Sequence, residues 1–192
     1  MELPANAAMM VIDVQEGTNQ PGKGQRNNPR AEENIARLLE AWRGAERPII
    51  HVKHNSRKIT SPFHMTHPGN AIMAFAQPRP GEPLIEKDVN CAFVGTDLEP
   101  RLRSAGITTL VIVGFITNHC VETTARMAGD LDFDTFVVSD ATATFDRVGP
   151  DGRVFEAELV HAVSLASINE EFVTVVDTNS VLASLDTLIG TR

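Results

Sequence analysis

Short apolar runs alternate along this chain with stretches of helical periodicity. The first run, residues 7–12, is apolar at every position, which is typical of a strand buried on both faces of a sheet. The next stretch, residues 30–44, places Ile35, Leu38 and Trp42 on one face of a helix. The whole pattern predicts strands at residues 7–12, 48–54, 84–87, 108–114, 135–139 and 172–176. It predicts helices at about residues 30–44, 97–105, 118–129, 154–168 and 181–189.

This alternation of strands and helices indicates an α/β fold. Its expected form is a three-layer α/β/α arrangement, in which a Rossmann-like, mostly parallel sheet of six strands carries helices on both faces. A single domain, residues 1–192, suits a chain of this length with a hydrophobic fraction of 42%. Ligands of such folds bind beyond the carboxyl ends of the strands. The proline-rich, non-periodic stretch 55–83 is expected to be a long loop that shapes this site.

Charge and cysteine content narrow the classes of function. The formal net charge of −8 disfavours nucleic-acid binding, which normally needs a basic surface, and favours a small-molecule substrate. The first residues lack a secretory signal, and the most apolar stretch, residues 110–116, is too short to cross a bilayer. Two cysteines are too few for a disulfide framework. We therefore expect a soluble, cytoplasmic protein that binds neither nucleic acid nor a membrane.

Cys120 follows the most apolar predicted strand and opens a helix. There the helix dipole and unpaired backbone N–H groups are expected to lower the thiol pKa and to hold an oxyanion, although a buried core cysteine is the alternative. The neighbouring His119 points about 100° away on a helix, so it is poorly placed to take the thiol proton. Asp13 and Lys87 end two other predicted strands. Each alone could be an ordinary strand-end residue, but together they can supply a proton acceptor and a cation.

Three motifs resemble those of the isochorismatase-like cysteine hydrolases, and the resemblance covers nearly the whole chain. They are residues 11–15 (VIDVQ), 86–93 (EKDVNCAF) and 114–126 (GFITNHCVETTAR). The resemblance implies that Asp13 is the general base, that Lys87 stabilises the charged species and that Cys120 attacks a carbonyl carbon. It also implies a cis peptide between Phe115 and Ile116, with the N–H groups of Ile116 and Cys120 forming an oxyanion hole.

The chain departs from the metal-binding members of this family. Nicotinamidases carry an Asp-x-His pair after the second strand, where this chain has HNS at residues 54–56, so we expect neither a metal nor another cofactor. His51 and His54 should face opposite sides of their strand because they are three residues apart. His64 and His67 are expected to be solvated loop residues, which would bind a metal only with further ligands from elsewhere.

Other motif residues are expected to surround the triad. Substrate-binding roles are predicted for Gln15, His54, Phe93, Asn118 and His119. Cys91 stands where relatives often have Ser. A conservative exchange is the simpler interpretation, and a redox partner of Cys120 is the minority hypothesis. Glu122 and Arg126 are expected to anchor their helix or a subunit contact.

The resemblance favours an amidase- or ureidase-like hydrolase. Such an enzyme would cleave a C–N bond of a small amide, carbamoyl or ureido compound through a thioester intermediate. One alternative is an ether-cleaving isochorismatase, which does not need the thiol. Another is a non-catalytic binding module on the same fold, which would not need the three motifs. The resemblance also implies a homodimer or homotetramer.

Overall fold

A central parallel sheet organises the computed structural model, which describes residues 3–20 and 24–189. The strands are β1 (Ala8–Ile12), β2 (Ile49–His54), β3 (Leu84–Lys87), β4 (Thr109–Phe115), β5 (Asp134–Ala143), β6 (Arg147–Val148), β7 (Val154–Phe155) and β8 (Thr174–Val176). Six of them form the sheet in the order β3-β2-β1-β4-β5-β8, and every neighbouring pair is parallel. The short strands β6 and β7 pair antiparallel in a separate hairpin.

Helices cover both faces of the sheet, so the predicted three-layer α/β/α fold is confirmed. They are α1 (Ala31–Gly44), α2 (Leu98–Ser104), α3 (Glu122–Asp130), α4 (Ala157–Ile168) and α5 (Thr178–Ile189). Buried side chains of α1 and α5 pack on one face, and those of α2, α3 and α4 pack on the other. In β1, Met9 and Val11 join the first core while Met10 and Ile12 join the second. This two-sided burial explains why the strand is apolar at every position.

Three predicted helices begin at other residues in the structure, and the last of them starts at Thr178 rather than near Val181. In the predicted helix 118–129, Thr117–Val121 form a π turn before α3 starts at Glu122. The predicted helix 154–168 starts only at Ala157, because Val154–Phe155 pair with β6 and Asp146 Oδ1 accepts a hydrogen bond from the Ala157 N–H at 2.9 Å.

Strand β5 runs beyond its predicted end at residue 139. Its polar residues interrupt the apolar run, but Ser139 Oγ donates to the Val176 carbonyl at 2.9 Å and Asp140 Oδ1 accepts from the Thr178 N–H at 2.8 Å. Within the described parts of the chain, no helix combines the length and apolar character that crossing a bilayer requires.

Gly114 allows β4 to pass close to β1. Its φ is +121°, and a Cβ atom added there would lie 2.0 Å from the Ile12 carbonyl oxygen. Neither the conformation nor the contact tolerates a side chain. This close approach lies one residue before the end of β4, where the chain turns towards Cys120.

We expect Gly114→Ala to lower the free energy of unfolding by at least about 2 kcal/mol, because it adds both backbone strain and a backbone clash. Gly44→Ala is the matched control, since a Cβ at Gly44 meets nothing within 4 Å. The control should leave stability unchanged or raise it slightly. Thermal unfolding followed by circular dichroism measures both changes. Equal melting temperatures for the two variants would contradict the role given to Gly114.

Candidate active site

Three chemically distinct side chains meet beyond the carboxyl ends of the strands. Asp13 directly follows β1, Lys87 ends β3 and Cys120 lies in the π turn after β4. Lys87 Nζ donates to Asp13 Oδ2 at 2.7 Å, and both residues are buried. The Cys120 sulfur, a carboxylate oxygen of Asp13 and a ring nitrogen of His54 all lie within 4.8 Å of one another. The residues expected to form a triad are therefore close together in space.

The backbone at Asp13 is unusual for a non-glycine residue. Its φ is +51°, in the left-handed region, which aspartate tolerates better than most side chains do. The Asp13 N–H still donates to the Val52 carbonyl at 2.9 Å, so β1 stays joined to β2 up to this turn. The other carboxylate oxygen, Oδ1, is buried and has no hydrogen-bond partner among the described residues. Asp13 thus keeps one oxygen on Lys87 and one available to accept a proton.

Cys120 is held by a turn whose carbonyl groups are firmly engaged. The Ile116 carbonyl accepts from the N–H groups of His119, at 3.0 Å, and Val121, at 3.3 Å. The Phe115–Ile116 peptide that precedes the turn is cis. The Cys120 thiol donates to Asn90 Oδ1 at 3.7 Å. The oxyanion hole built from the N–H groups of Ile116 and Cys120 remains a prediction.

The electrostatics of the thiol differ from the sequence-based expectation. Burial, followed by the negative charge of Asp13, raises the pKa of Cys120, and the positive charge of Lys87 only partly opposes this. The expected lowering by the helix terminus is therefore wrong for the resting site, because the thiol is buried beside a carboxylate. Burial alone would lower the pKa of Lys87, but Asp13 and Cys120 together raise it. Cys120 consequently needs a base to remove its proton.

A cavity of about 120 Å³ opens beside the sulfur. It is lined by Asp13, Thr18, His54, Phe63, Asn90, Phe115, Ile116, His119 and Cys120. One water needs about 10–15 Å³ in such a measure, so the cavity admits a small organic molecule. Two predicted substrate-binding residues, His54 and His119, belong to its lining.

Comparison with known proteins identifies the family of this chain. The isochorismatase domain matches residues 7–180. The chain belongs to the isochorismatase family. YrdC of Bacillus subtilis, an isochorismatase family protein, is 42% identical over 175 residues, which are 91% of this chain and 94% of YrdC. An isochorismatase-family protein from Chromobacterium violaceum has the same fold, with a TM-score of 0.94, 39% identity and 97% of each chain covered.

The isochorismatase family is a family of hydrolases, and several relatives are named for amide substrates. The ureidoacrylate amidohydrolase RutB of Agrobacterium fabrum is 40% identical to this chain over 81 residues. That match spans 42% of this chain and 34% of RutB. It supports the amidohydrolase branch of the family and leaves the substrate of this chain open.

Three of the residues predicted to bind substrate lie outside the lining of the cavity. Gln15 is fully engaged with the backbone: its Nε2 donates to the carbonyls of His54 and Asn70, and its Oε1 accepts from the His54 N–H. Phe93 stacks on Phe133, with ring centroids 5.9 Å apart. Asn118 Oδ1 accepts from a threonine hydroxyl of the neighbouring segment at 2.6 Å. A position beside a strand-end motif therefore did not suffice to predict where these side chains point.

Asn90 and Phe63 line the cavity and were not among the predicted site residues. Asn90 lies in the second family motif, three residues after Lys87, and its contact with the thiol gives it a place in the site. Phe63 comes from the long loop 55–83 and stands edge-on to His54, with ring centroids 6.1 Å apart. The sequence predicts that this loop shapes the site, but its lack of periodicity singles out no particular residue.

A metal ion at this site would lie close to the positive charge of Lys87. Asp13, His54 and Cys120 offer atoms close enough to share an ion, yet Lys87 Nζ lies 2.7 Å from Asp13 Oδ2 and 3.3 Å from His54 Nδ1. An added cation would be repelled by this ammonium group. His64 and His67 serve as local turn caps, since their Nδ1 atoms accept from backbone N–H groups two residues on. His51 pairs instead with Glu82 at 2.8 Å.

Helix α3 is anchored by its own charged residues. Arg126 donates to Glu122 Oε1, and Glu122 Oε2 accepts from the hydroxyl of Ser164 on α4. The Arg126 guanidinium also stands 4.8 Å from the centroid of the Phe172 ring. Glu122 and Arg126 thus hold the helix that follows Cys120, as expected. Cys91 and Cys120 are both buried and free, so no disulfide joins them.

Proposed function

We propose that this protein is a cysteine hydrolase that cleaves a C–N bond of a small amide, carbamoyl or ureido compound. One observation carries the proposal: the Cys120 thiol and the Asp13 carboxylate, which has one unpaired oxygen, line a small cavity, and Lys87 is bonded to that carboxylate. An activated thiol, a base and a cation are the parts that nucleophilic catalysis at a carbonyl needs. The partial similarity to RutB, an amidohydrolase, supports the same bond type.

In the proposed first half-reaction Asp13 Oδ1 accepts the proton of Cys120 as the sulfur forms a bond to the carbonyl carbon. The electron pair of the carbonyl moves to its oxygen, which the N–H groups of Ile116 and Cys120 stabilise. When the intermediate collapses, the C–N bond breaks and Asp13 returns the proton to the nitrogen. Ammonia or an amine departs, and the acyl group remains on the sulfur as a thioester.

In the second half-reaction Asp13 takes a proton from water while the water oxygen attacks the thioester. The C–S bond then breaks and the sulfur recovers the proton from Asp13. An amide yields a carboxylic acid, whereas a ureido group yields a carbamate that loses carbon dioxide. Lys87 stays bonded to Asp13 throughout and limits the repulsion between the carboxylate and the thiolate.

Ammonia release from a panel of primary amides, carbamoyl compounds and ureas tests this function. We expect at least one class to be turned over by the wild-type protein. With substrate in excess, ammonia should appear in a burst equal to the enzyme concentration when hydrolysis of the thioester is the slower step. Isochorismate is included in the panel, with pyruvate as its product. Pyruvate from isochorismate, with no ammonia from any other compound, would assign the protein to the ether-cleaving alternative.

Two further expectations accompany this proposal. A cytoplasmic location is expected from the sequence, and a homodimer or homotetramer from the family resemblance. Light scattering coupled to size-exclusion chromatography measures the assembly directly.

A further inference from the structure

Helix α4 contacts the π turn of Cys120 at both of its ends. At the first residue of the turn, the Thr117 hydroxyl lies 2.9 Å from Nδ1 of His161. Directly after the turn, the Glu122 carboxylate accepts from the hydroxyl of Ser164. His161 and Ser164 are three residues apart, so they lie on the same face of α4. The five residues that carry the thiol are therefore held between two polar contacts with one helix.

His161 is buried although the proposed reaction gives it no part. Its exposed fraction is 6%, and that of Thr117 is 0%. The cavity beside the sulfur is lined by other residues, so neither side chain reaches a bound molecule there. Burying a polar ring costs free energy unless its nitrogens are hydrogen-bonded. Both nitrogens of His161 should therefore have partners.

These partners determine which ring nitrogen of His161 carries the proton. Burial lowers the pKa of His161, so the ring is neutral at physiological pH and has one donor and one acceptor. The ring bonds to the backbone carbonyl of Ser139, where it must donate. Asn28 Nδ2, 3.4 Å from Nε2, already donates to the carbonyls of Ser139 and Thr142, at 2.8 and 2.7 Å. Nε2 is thus assigned as the donor, and Nδ1 accepts from the Thr117 hydroxyl.

The imidazole of His161 consequently joins three parts of the carboxyl edge of the sheet. It stands on α4, bonds to β5 through the Ser139 carbonyl and bonds to the π turn through Thr117. Turns of the π type are rare and occur frequently at functional sites. Thr117 is only three residues before Cys120, less than one helical turn away, so a shift of its backbone also shifts the sulfur.

We propose that His161 is a positioning residue for the nucleophile. By holding Thr117, it directs the Cys120 sulfur towards Asp13, which accepts the thiol proton in the proposed reaction. The sulfur and a carboxylate oxygen of Asp13 lie within 4.8 Å of each other, so a small displacement decides whether the proton can pass. This inference rests on the proposed function only for the role of Cys120 as nucleophile.

Two pairs of substitutions test this role. His161→Leu removes both bonds of the ring, whereas His161→Asn places an amide near the position of Nδ1 and keeps an acceptor for Thr117. Thr117→Val removes the same bond from the other side, and Thr117→Ser keeps the hydroxyl. Ile168→Val is the matched control, because Ile168 is buried on the same helix, about two turns further on, and its side chain has no hydrogen bond to lose.

Alkylation of Cys120 by iodoacetamide reports the position of the thiol without any substrate. The sulfur displaces iodide from carbon, and its proton passes to Asp13 or to solvent. All proteins carry Cys91→Ala, so that one free cysteine remains. With Asp13 as the base, the rate in the reference protein should change little between about pH 6 and pH 9. In His161→Leu and Thr117→Val it should rise about tenfold per pH unit, because the buried thiol, whose pKa is raised, must first lose its proton to solvent.

Turnover gives an independent measure of the same displacement. In His161→Leu and Thr117→Val, kcat should fall about 10- to 100-fold with little change in KM, because the substrate still binds while the sulfur is misplaced. His161→Asn and Thr117→Ser should recover most of kcat. Ile168→Val should lower the melting temperature and keep both kcat and the flat alkylation profile. Thr117→Val, which preserves the shape of the side chain, decides the question if His161→Leu does not fold.

Unchanged alkylation profiles in His161→Leu and Thr117→Val would overturn the proposal. A fall in kcat that follows the melting temperature and is not recovered by His161→Asn or Thr117→Ser would do so as well. If the alkylation profiles change as expected and no compound releases ammonia, the positioning role stands and the hydrolytic function fails. If His161→Leu and Thr117→Val release ammonia as fast as the reference protein, the function stands and the positioning role is refuted.

Discussion

Replacing Cys120 with alanine should reduce ammonia release on the order of 10⁴-fold or more, because the bond to the carbonyl carbon can no longer form. The fold should survive the change. Burial keeps the thiol protonated, so the substitution removes no charge, and the hydrogen bond from the thiol to Asn90 Oδ1, at 3.7 Å, is weak. Turnover and the melting temperature, measured on the same preparation, distinguish loss of chemistry from loss of structure.

Cys91→Ala is the matched control for this experiment. Cys91 is also a buried, free cysteine, but it is not part of the cavity lining. We expect it to retain turnover within a few-fold of wild type. Full activity in Cys120→Ala would exclude the thioester mechanism. Peroxide treatment followed by thiol labelling of the wild type also tests the redox hypothesis, which requires both cysteines to become protected together.

Asp13→Asn should lower kcat by about 10²- to 10⁴-fold, because the amide cannot accept the thiol proton. Stability should fall as well, since the ammonium of Lys87 would be buried without a carboxylate. Breaking a buried pair in this way costs about 3 kcal/mol. Asparagine is the appropriate replacement because it also tolerates the positive φ of this position.

A second substitution separates the two effects of Asp13→Asn. The double variant Asp13→Asn/Lys87→Met removes the unpaired charge, so its melting temperature should recover while its activity stays at or below that of Asp13→Asn. Asp97→Asn is the surface control: it breaks an exposed ion pair with Arg101 and should cost at most about 1 kcal/mol. A double variant that unfolds as readily as Asp13→Asn would show that charge pairing is not what Asp13 contributes to stability.

The fold was largely predictable because the strands are buried on both faces and therefore apolar without interruption. The errors in the predicted elements arose where contacts between distant segments, and not the periodicity of the local sequence, determine the secondary structure. Strand β5 continues past its predicted end at Ser139, and Asp140 Oδ1 accepts there from the Thr178 N–H, a contact that a local pattern does not contain. The hairpin of β6 and β7 consists of two short strands that are too brief to give a periodic signal.

The candidate site was predictable to the extent that topology dictated it. Parallel strands end at one edge, so Asp13, Lys87 and Cys120 could be expected to meet there. The thiol pKa was misjudged because the helix terminus is visible in sequence whereas burial beside a carboxylate is not. Gln15 was misassigned for a similar reason, since only the three-dimensional structure shows that its amide is fully engaged.

The residues that hold the base of the long loop 55–83 are different from the residues proposed to carry out the reaction. Asn70 Nδ2 contacts the oxygen atoms of His54, Asn55 and Phe63, and Gln15 joins the same carbonyl of His54. These two amides fix the base of the loop, while Asp13, Lys87 and Cys120 stand on strands and a turn outside it. We therefore expect that replacing this loop with the loop of another family member changes the substrate specificity, provided that Gln15 and Asn70 are kept. The position of the Cys120 thiol should not change.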